Sequence, residues 1–583
     1  MRTYTKRYSM NQRTRRRRAQ FAYAVLGVLA LLALRLASAW SLRVDSDEPQ
    51  HLHVVWAWTQ GLLPYRNVFD NHTPLFQLLM SPLLALLGAR ADIVPCMRTA
   101  TIPIWALGLT LTWWLGRRLW NVRVAWTAMV LTALFPLTYL SSVQFRTDDL
   151  WWVMWVAGVA VAVLGAPDRR RLAAAGMLMG LSFAVSMKTT PLLITQLLAL
   201  AMLALFWRLQ GHAIAWRVWL RATPGWLLGL ILPLGAFAVF FALHDALPQA
   251  WYFWVTYNIV PGMGPWTGSR LQYLLFPTVS ALVAMVSWRR LRASTDAALT
   301  LRRLAMFDGA ALYLAALLSY WPLLTLQDLL PVVPLLMLGA SGTRLVHTRR
   351  IGWGFALALA LELLTILATR PPWRDLLLQR QERELALVLR LTRPDDFVMD
   401  AKGAAIFRKR PVFWVFEDIA EFRIAHGLLH PRVRAHLERT GTSMVIDHRM
   451  PDSAEPFIAR NYLPLLGNVR VLGQRFTVAQ ARQPVLLPIA IPQRYVLLDA
   501  QGRSVAARID GRAVAGAVAL TRGCHTLKVP QAGPYLLLWA PAIRRGLDPA
   551  ALLALPAQRQ AAPAATVAAA LQCRQQGAVG LPD

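Results

Sequence analysis

The first group of residues that could do chemistry follows directly after a long apolar segment near the start of the chain. The stretch 43–53 (RVDSDEPQHLH) contains Asp47, Glu48 and His51. A carboxylate that is partly removed from water has a raised pKa and can act as a general base on a hydroxyl group. Glu48 and His51 are also candidate metal ligands, but their spacing matches no specific metal motif. The alternative interpretation is an ordinary solvated loop.

Three further groups repeat these residue types. In chain order they contain His72 (stretch 65–75), then Arg146, Asp148 and Asp149 (stretch 144–149), and then the dispersed set Lys188, Arg270 and Gln327-Asp328. Lys188 is the only lysine between residues 7 and 401, although a role as an interfacial anchor would also explain it. Cationic side chains suit the binding of a phosphate, and nearby carboxylates suit the deprotonation of an attacking hydroxyl.

The elements that carry these residues are mostly apolar. Of 583 residues, 56% are hydrophobic and only 16% are charged, whereas a soluble protein has roughly 25% charged residues. The apolar residues form blocks of about 17–22, which is the length that crosses a hydrocarbon core roughly 30 Å thick as a helix. The net charge of +32 lies in short arginine clusters between these blocks. That arrangement is typical of the cytoplasmic loops of a polytopic membrane protein and argues against nucleic-acid binding.

The pattern predicts eleven membrane-spanning helices. They lie at roughly 21–41, 99–116, 124–140, 150–165, 172–187, 189–206, 223–243, 271–288, 304–320, 329–345 and 352–369. The apolar stretch 75–88 is only about 14 residues long. If it does not cross, every dense arginine cluster falls on the cytoplasmic side, so we interpret it as an interfacial or re-entrant helix within a first external loop at 42–98. The N-terminus is then cytoplasmic and the C-terminus external.

The sequence changes character after residue 370. We predict five segments: a basic cytoplasmic N-terminus at 1–20, the membrane domain at 21–370, an extracytoplasmic α/β region at 371–484, a β-rich, sandwich-like module at 485–545 and an Ala-rich tail at 546–583. The β-rich module is either structural or in contact with carbohydrate. A disulfide bond between Cys524 and Cys573 is possible if this part is extracytoplasmic, and their spacing neither supports nor excludes it.

The ordered set of motifs resembles the GT-C glycosyltransferases over roughly residues 20–370. The motifs are Asp47-Glu48 after the first helix, GLLPYRNVFDNHTPLFQLL at 61–79, a second span that begins at Arg98 and ends in LGRRLW, and Arg146-Thr-Asp148-Asp149 before the fourth span. The resemblance is to the bacterial branch related to protein O-mannosyltransferases, lipid A aminoarabinose transferases and rhizobial lipopolysaccharide glycosyltransferases. It implies a GT-C-like membrane domain.

The resemblance also implies candidate roles. Enzymes of this class take a sugar from a polyprenyl-phosphate carrier on the external membrane face. Their first-loop acid corresponds to Asp47, with Glu48 beside it, and their second-loop acid to either Asp148 or Asp149. Their basic first-loop residue corresponds here to His72, which is a departure, because a histidine is only partly charged at neutral pH. The resemblance therefore leaves donor-phosphate binding shared among His72 and three other cations, which are Lys188, Arg270 and Arg146.

The hypothesis from sequence is an inverting transfer at the periplasmic face of a bacterial inner membrane. Asp47 accepts the proton of an acceptor hydroxyl, and the acceptor is a glycan, lipid or protein of the cell envelope, lipopolysaccharide included. No cofactor is certain, and a divalent metal ion is left open. The alternatives are a lipid-linked polysaccharide polymerase or ligase, a transporter, and a non-catalytic membrane scaffold for the C-terminal domain.

Overall fold

The computed structural model describes residues 2–260, 263, 270–321, 323–343, 349–369 and 376–553. The chain forms two compact units, each built from three stretches of sequence. Unit 1 consists of Met1–Val44, Asn71–Leu79 and Val94–Leu378, and unit 2 consists of Asp45–Asp70, Met80–Ile93 and Gln379–Asp583. The stretch 45–70, which carries the first group of candidate residues, therefore belongs to the same unit as the C-terminal region.

Helices make up nearly all of unit 1. Up to residue 369, the α-helices of the chain are α1 Arg2–Ser41, α2 Asp47–Thr59, α3 Leu75–Leu87, α4 Ile93–Leu119, α5 Val122–Leu134, α6 Pro136–Val143, α7 Asp148–Val163, α8 Arg169–Val185, α9 Thr189–Leu209, α10 Trp216–Leu243, α11 Leu247–Trp251, α12 Leu275–Arg292, α13 Ala297–Tyr320, α14 Val333–Ser341 and α15 Arg349–Thr369. A π-helix at Tyr252–Thr256 continues α11, and 3-10 helices lie at Arg270–Leu274 and Leu326–Leu329.

Within the described residues, four helices are long and apolar enough to cross a membrane. They are α4, α9, α10 and the segment Gln272–Arg292. The pair α5 and α6 adds a fifth crossing if it is taken as one span bent by 65°. The predicted count of eleven crossings is therefore not confirmed.

The helices differ from the predicted spans for local reasons. Pro136 interrupts the predicted span 124–140, because a proline has no N–H to donate to the preceding turn. Helices α7 and α8 are 16 and 17 residues long and α14 only 9, so each is shorter than a full crossing of about 20 residues. Helix α3, with 13 residues, is about 20 Å long and too short to cross. This length agrees with the exclusion of 75–88 from the spans.

Helices α8 and α10 approach each other closely through small residues. A Cβ atom at Gly176 would lie 2.1 Å from the carbonyl oxygen of Trp226, and one at Gly229 would lie 2.3 Å from the carbonyl oxygen of Ala173. Such contacts between backbones are a common way for helices to pack in lipid, where the hydrophobic effect between helices is weak. These contacts hold the first half of α8 against α10.

Unit 2 combines short helices with two sheets. Its later elements are α16 Leu377–Leu391, β1 Val398–Met399, α17 Asp418–Ala425, α18 Val433–Thr440, β2 Met444–Ile446, α19 Glu455–Asn461, β3 Tyr462–Leu466, β4 Val469–Val478, β5 Val485–Ile489, β6 Gln493–Leu498, β7 Ala507–Ile509, β8 Arg512–Val514, β9 Ala517–Leu520, β10 Gly523–Lys528, β11 Gly533–Trp539, α20 Ala540–Arg544 and α21 Pro549–Leu553. Among the described residues, the larger sheet has the order β1-β2-β4-β11-β6-β9, with β3 also paired to β4, and the smaller has the order β5-β10-β7-β8.

The larger sheet contains strands from both sides of residue 485. Strand β4 pairs antiparallel with β11, and β1 runs parallel to β2. Strands β1 and β2 are fully buried, and β6 and β11 are buried over most of their length. Asp510 and Gly511 form the two-residue turn between β7 and β8, both with positive φ, as tight hairpins require. The predicted domain boundaries themselves stay predictions.

The cysteines differ in their chemical state. Cys524, at the start of β10, is disulfide-bonded, whereas Cys96 in α4 is a free thiol. Cys573 lies outside the described residues, as does the predicted tail beyond residue 553.

Candidate active site

A first group of predicted site residues lies in unit 2, at the N-terminus of α2. Asp47 is the first residue of this helix, where the helix dipole favours a negative charge. Its carboxylate forms an ion pair with the ammonium group of Lys402, and the two side chains are 26% and 13% exposed. Lys402 also lies 3.5 Å from the hydroxyl of Ser46. The predicted base is thus held next to a cation from a distant part of the chain.

Glu48 occupies a different position from Asp47, although the two are adjacent in sequence. The Glu48 side chain is fully buried, and its Oε2 accepts a hydrogen bond of 2.9 Å from the backbone N–H of Asp45. The backbone N–H of Asp47 in turn donates to the Asp45 carboxylate over 3.0 Å. These contacts close the turn before α2, so the structure gives Glu48 a role in shaping the helix start.

A loop at 400–410 presents Lys402 to Asp47. The carboxylate of Asp400 accepts hydrogen bonds from the backbone N–H groups of Gly403 and Ala405 and from Nε of Arg410, the last over 3.1 Å. Both side chains of the Asp400–Arg410 pair are almost completely buried. An acid that accepts several hydrogen bonds within one loop fixes the path of that loop.

Sequence reasoning missed Lys402. A signal did exist, because lysine occurs only five times in the chain and rarity had already singled out Lys188. The pairing with Asp47 had no local signal, since 355 residues separate the two.

Gly403 allows the loop to approach α2. Its φ is +83°, and a Cβ atom there would lie 3.0 Å from both the Cβ of His53 and the carbonyl oxygen of Pro49. His53 contributes to the same contact, since its Nδ1 lies 2.8 Å from the carbonyl oxygen of Ile406. Burial lowers the pKa of His53 to about 4, so this ring is neutral near pH 7. The contact between helix and loop is therefore made without a charged histidine.

Replacing Gly403 by alanine is expected to destabilise unit 2 by roughly 1–3 kcal/mol, because a left-handed backbone and a crowded Cβ position both oppose the new side chain. Gly427→Ala is the matched control: Gly427 also has positive φ (+68°), but its Cβ position has no atom within 4 Å. Thermal unfolding of the purified protein measures both. Equal losses for the two variants would contradict the close approach of the loop to α2.

A second group of predicted site residues lies in unit 1, around the N-terminus of α7. Asp148 is the first residue of α7, and its Oδ2 lies 3.1 Å from Nε of Arg146. His72 and Lys188 are close enough to interact electrostatically with the Asp148 carboxylate. Four predicted site residues are therefore brought together within unit 1.

Lys188 lies between α8 and α9 and forms an ion pair with Asp328 in which Nζ and Oδ1 are 2.6 Å apart. Burial lowers the pKa of the Lys188 ammonium, but the carboxylates of Asp328 and Asp148 raise it by more, so it lies above the ordinary value for lysine. Asp328 is itself fixed, because its Oδ2 accepts hydrogen bonds from the backbone and hydroxyl of Thr325. Lys188 therefore stays charged, and 27% of its side chain is exposed.

Asp149 differs from its neighbour Asp148. Its Oδ2 lies 2.9 Å from the guanidinium of Arg35, both side chains being about 1% exposed, and its Oδ1 accepts a hydrogen bond of 3.1 Å from the indole of Trp152. Arg35 also donates to the hydroxyl of Ser142 over 2.6 Å and stacks on the ring of Trp105. Asp149 thus joins α7 to α1 in a buried ion pair, whereas Asp148 is paired with Arg146.

The loop that carries His72 is held on both sides. On one side, the amide of Asn258 donates to the carbonyl oxygen of Asn71 over 2.9 Å, and the two side-chain amides are 3.3 Å apart. On the other, the hydroxyl of Thr73 donates to the carbonyl oxygen of Phe183 over 2.8 Å. Asn258 lies two residues after the π-helix Tyr252–Thr256, and π-helices are frequently found at functional sites.

Two predictions are less defined. Arg270 begins a 3-10 helix, but its side chain lies outside the described part of the chain. Within the described residues, no group of three or more His, Cys, Asp or Glu side chains is arranged to hold a metal ion. Glu48 and His51, the candidate metal ligands, are both buried in α2.

Comparison with known proteins gives matches only at the level of structure. No protein-family model and no curated protein sequence matches the chain. ArnT from Cupriavidus metallidurans matches in the apo state with a TM-score of 0.51 and 14% identity over 78% of this chain and 98% of ArnT. ArnT bound to undecaprenyl phosphate matches with a TM-score of 0.52 and 14% identity over 77% and 97% of the two chains.

The oligosaccharyltransferase of Archaeoglobus fulgidus in its apo form also matches, with a TM-score of 0.39 and 11% identity over 86% of this chain and 94% of that one. At such identities a structural match shows the fold. The match to ArnT covers nearly the whole of that protein and confirms the resemblance seen in the order of the sequence motifs. The chain has the fold of the GT-C glycosyltransferases.

Proposed function

We propose that this protein is a membrane glycosyltransferase that transfers a sugar from a polyprenyl-phosphate carrier to an acceptor of the cell envelope. The observation that carries the proposal is the match to ArnT, which includes a structure of ArnT bound to undecaprenyl phosphate. Because fold alone does not determine function, the proposal also depends on the residues of the candidate site. Those residues supply both cations and carboxylates.

The donor phosphate is assigned to the cations around Asp148. Lys188 carries a full charge and is partly exposed, and Arg146 and His72 interact with the same carboxylate. When the bond between the sugar and the carrier phosphate breaks, negative charge grows on the phosphate oxygen. Cations already in place stabilise that charge without having to reorganise. Arg270 is a further cation that we propose to bind the donor phosphate.

The acceptor is assigned to Asp47. Its carboxylate takes the proton of the acceptor hydroxyl while the hydroxyl oxygen forms a bond to the anomeric carbon. The bond from that carbon to the carrier phosphate breaks at the same time, and the polyprenyl phosphate leaves with the electron pair. A single displacement of this kind inverts the configuration at the anomeric carbon, which is the stereochemistry that we propose.

We place the reaction on the periplasmic face of a bacterial inner membrane, with the N-terminus of the protein in the cytoplasm. Two observations support this orientation. The arginine clusters of the interhelical loops fall on one side of the predicted membrane topology. Cys524 of unit 2 is disulfide-bonded, and such bonds persist in oxidising compartments such as the bacterial periplasm.

Replacing Lys188 by methionine is expected to raise KM for the lipid-linked donor about tenfold or more, because a charged contact to phosphate is lost while the apolar stem is kept. Lys528→Met in β10 is the matched control, since it removes the same charge from the smaller sheet of unit 2. Initial rates of transfer at varied donor concentration measure the effect. An unchanged KM for Lys188→Met would remove Lys188 from the donor site.

The proposal as a whole is tested by supplying purified protein in lipid vesicles with radiolabelled polyprenyl-phosphate sugars and an extract of envelope acceptors. We expect transfer of one labelled sugar to an acceptor, with release of polyprenyl phosphate. Labelled chains of many sugars would instead support the alternative of a polysaccharide polymerase. No transfer from any donor of this chemical class would reject the proposed function.

A further inference from the structure

Lys402 brings the C-terminal part of the sequence into contact with a predicted catalytic residue, Asp47, within unit 2. The ion pair between Lys402 and Asp47 joins the loop at 400–410 to the first turn of α2. Lys402 is only 13% exposed, so its side chain is held rather than free to sample solvent.

The surrounding residues build this position. The Asp400–Arg410 pair is buried and fixes the loop, and Arg410 also donates to backbone oxygens, among them that of Trp414 at 2.9 Å. Gly403 lets the loop touch α2. His53 of α2 contacts the same loop through the carbonyl oxygen of Ile406. A surface lysine that pairs by chance with an acid needs none of these supports, and exposed pairs contribute little to stability.

We propose that Lys402 is a positioning residue that holds the carboxylate of Asp47 in one orientation toward the acceptor. This inference rests on the proposed function. A general base that is held in one orientation stays in the geometry that proton transfer needs. The C-terminal region is thereby assigned a part in the chemistry as well as in the architecture.

The segment of Asp47 and the facing loop carry other charged or titratable groups, which are Asp45, Glu48, His51, His53, Asp400, Arg408, Lys409 and Arg410. Among them, Arg410 is paired with Asp400, and His53 is neutral near pH 7. The ion pair places the ammonium of Lys402 directly on the Asp47 carboxylate.

The test compares Lys402→Met with Lys402→Arg and with Lys409→Met, which removes a lysine from the same loop. We expect Lys402→Met to lower kcat for transfer about tenfold with little change in KM for the donor, because the carboxylate of Asp47 is no longer held in one orientation. Lys402→Arg should restore most of the rate. Lys409→Met should leave the rate unchanged.

A second measurement tests the ion pair without using activity. Thermal unfolding is measured for Asp47→Asn, Lys402→Met and the double variant. The loss in Tm of the double variant should be smaller than the sum of the losses of the two single variants, as for two interacting residues. Additive losses, an unchanged kcat, or an effect confined to KM for the donor would each overturn the positioning role. If the unmodified protein transfers no sugar, the proposed function fails, while the unfolding cycle still decides whether Lys402 holds Asp47.

Discussion

Transfer activity is expected to fall by about 10²–10⁴-fold when Asp47 is replaced by asparagine, because this is the usual contribution of a positioned general acid or base. Asparagine has nearly the same shape but cannot accept the proton of the acceptor hydroxyl. The expected loss is therefore in kcat, with little change in KM for the donor. Single-turnover transfer from a radiolabelled donor measures the chemical step directly.

A second Asp→Asn variant in unit 2 controls for general effects of the substitution. Asp92 forms a surface ion pair with Arg90, with Nε and Oδ1 2.5 Å apart and both side chains more than 30% exposed. Such pairs contribute little to stability, so Asp92→Asn should transfer sugar at the unmodified rate. Near-normal turnover by Asp47→Asn would exclude Asp47 as the base and leave Asp148 as the next candidate to test.

The second large effect is expected in stability. Replacing Asp149 by asparagine leaves the buried guanidinium of Arg35 without its counter-charge, and breaking a buried ion pair in this way costs about 3–5 kcal/mol. We expect a marked loss of thermal stability in detergent, together with a reduced yield of folded protein. Unfolding followed by size-exclusion chromatography after heating measures it.

The control for this prediction removes both charges at once. The double variant Arg35→Met, Asp149→Leu replaces the pair by apolar side chains, and such replacements are often neutral or stabilising. It should therefore recover most of the stability that Asp149→Asn loses. A double variant as unstable as the single one would show that the loss comes from packing around α1 and α7 rather than from an unpaired charge.

Much of the fold could be predicted from local patterns in the sequence. Apolar blocks indicated the helices of unit 1, and the change of character after residue 370 indicated a region that contains strands. The length of 75–88 and the arginine distribution together excluded it as a crossing. The number of crossings could not be fixed, because hydropathy does not show where a proline such as Pro136 bends a helix or where a helix ends early. The candidate site residues near the helix ends could be predicted from the sequence, because charged side chains are rare and energetically unfavourable in membrane helices.

The sequence by itself determined which residue types stand at the helix ends, and their order was enough to indicate the GT-C fold. Only the tertiary structure decided which partners these residues contact. It separated Asp148 from Asp149, which are adjacent in sequence but whose carboxylates meet Arg146 and Arg35 respectively. It also paired Asp47 with Lys402 across 355 positions. The physical reason is that hydropathy and helix periodicity act between near neighbours, whereas an ion pair depends on which distant backbones the packing brings within a few ångströms.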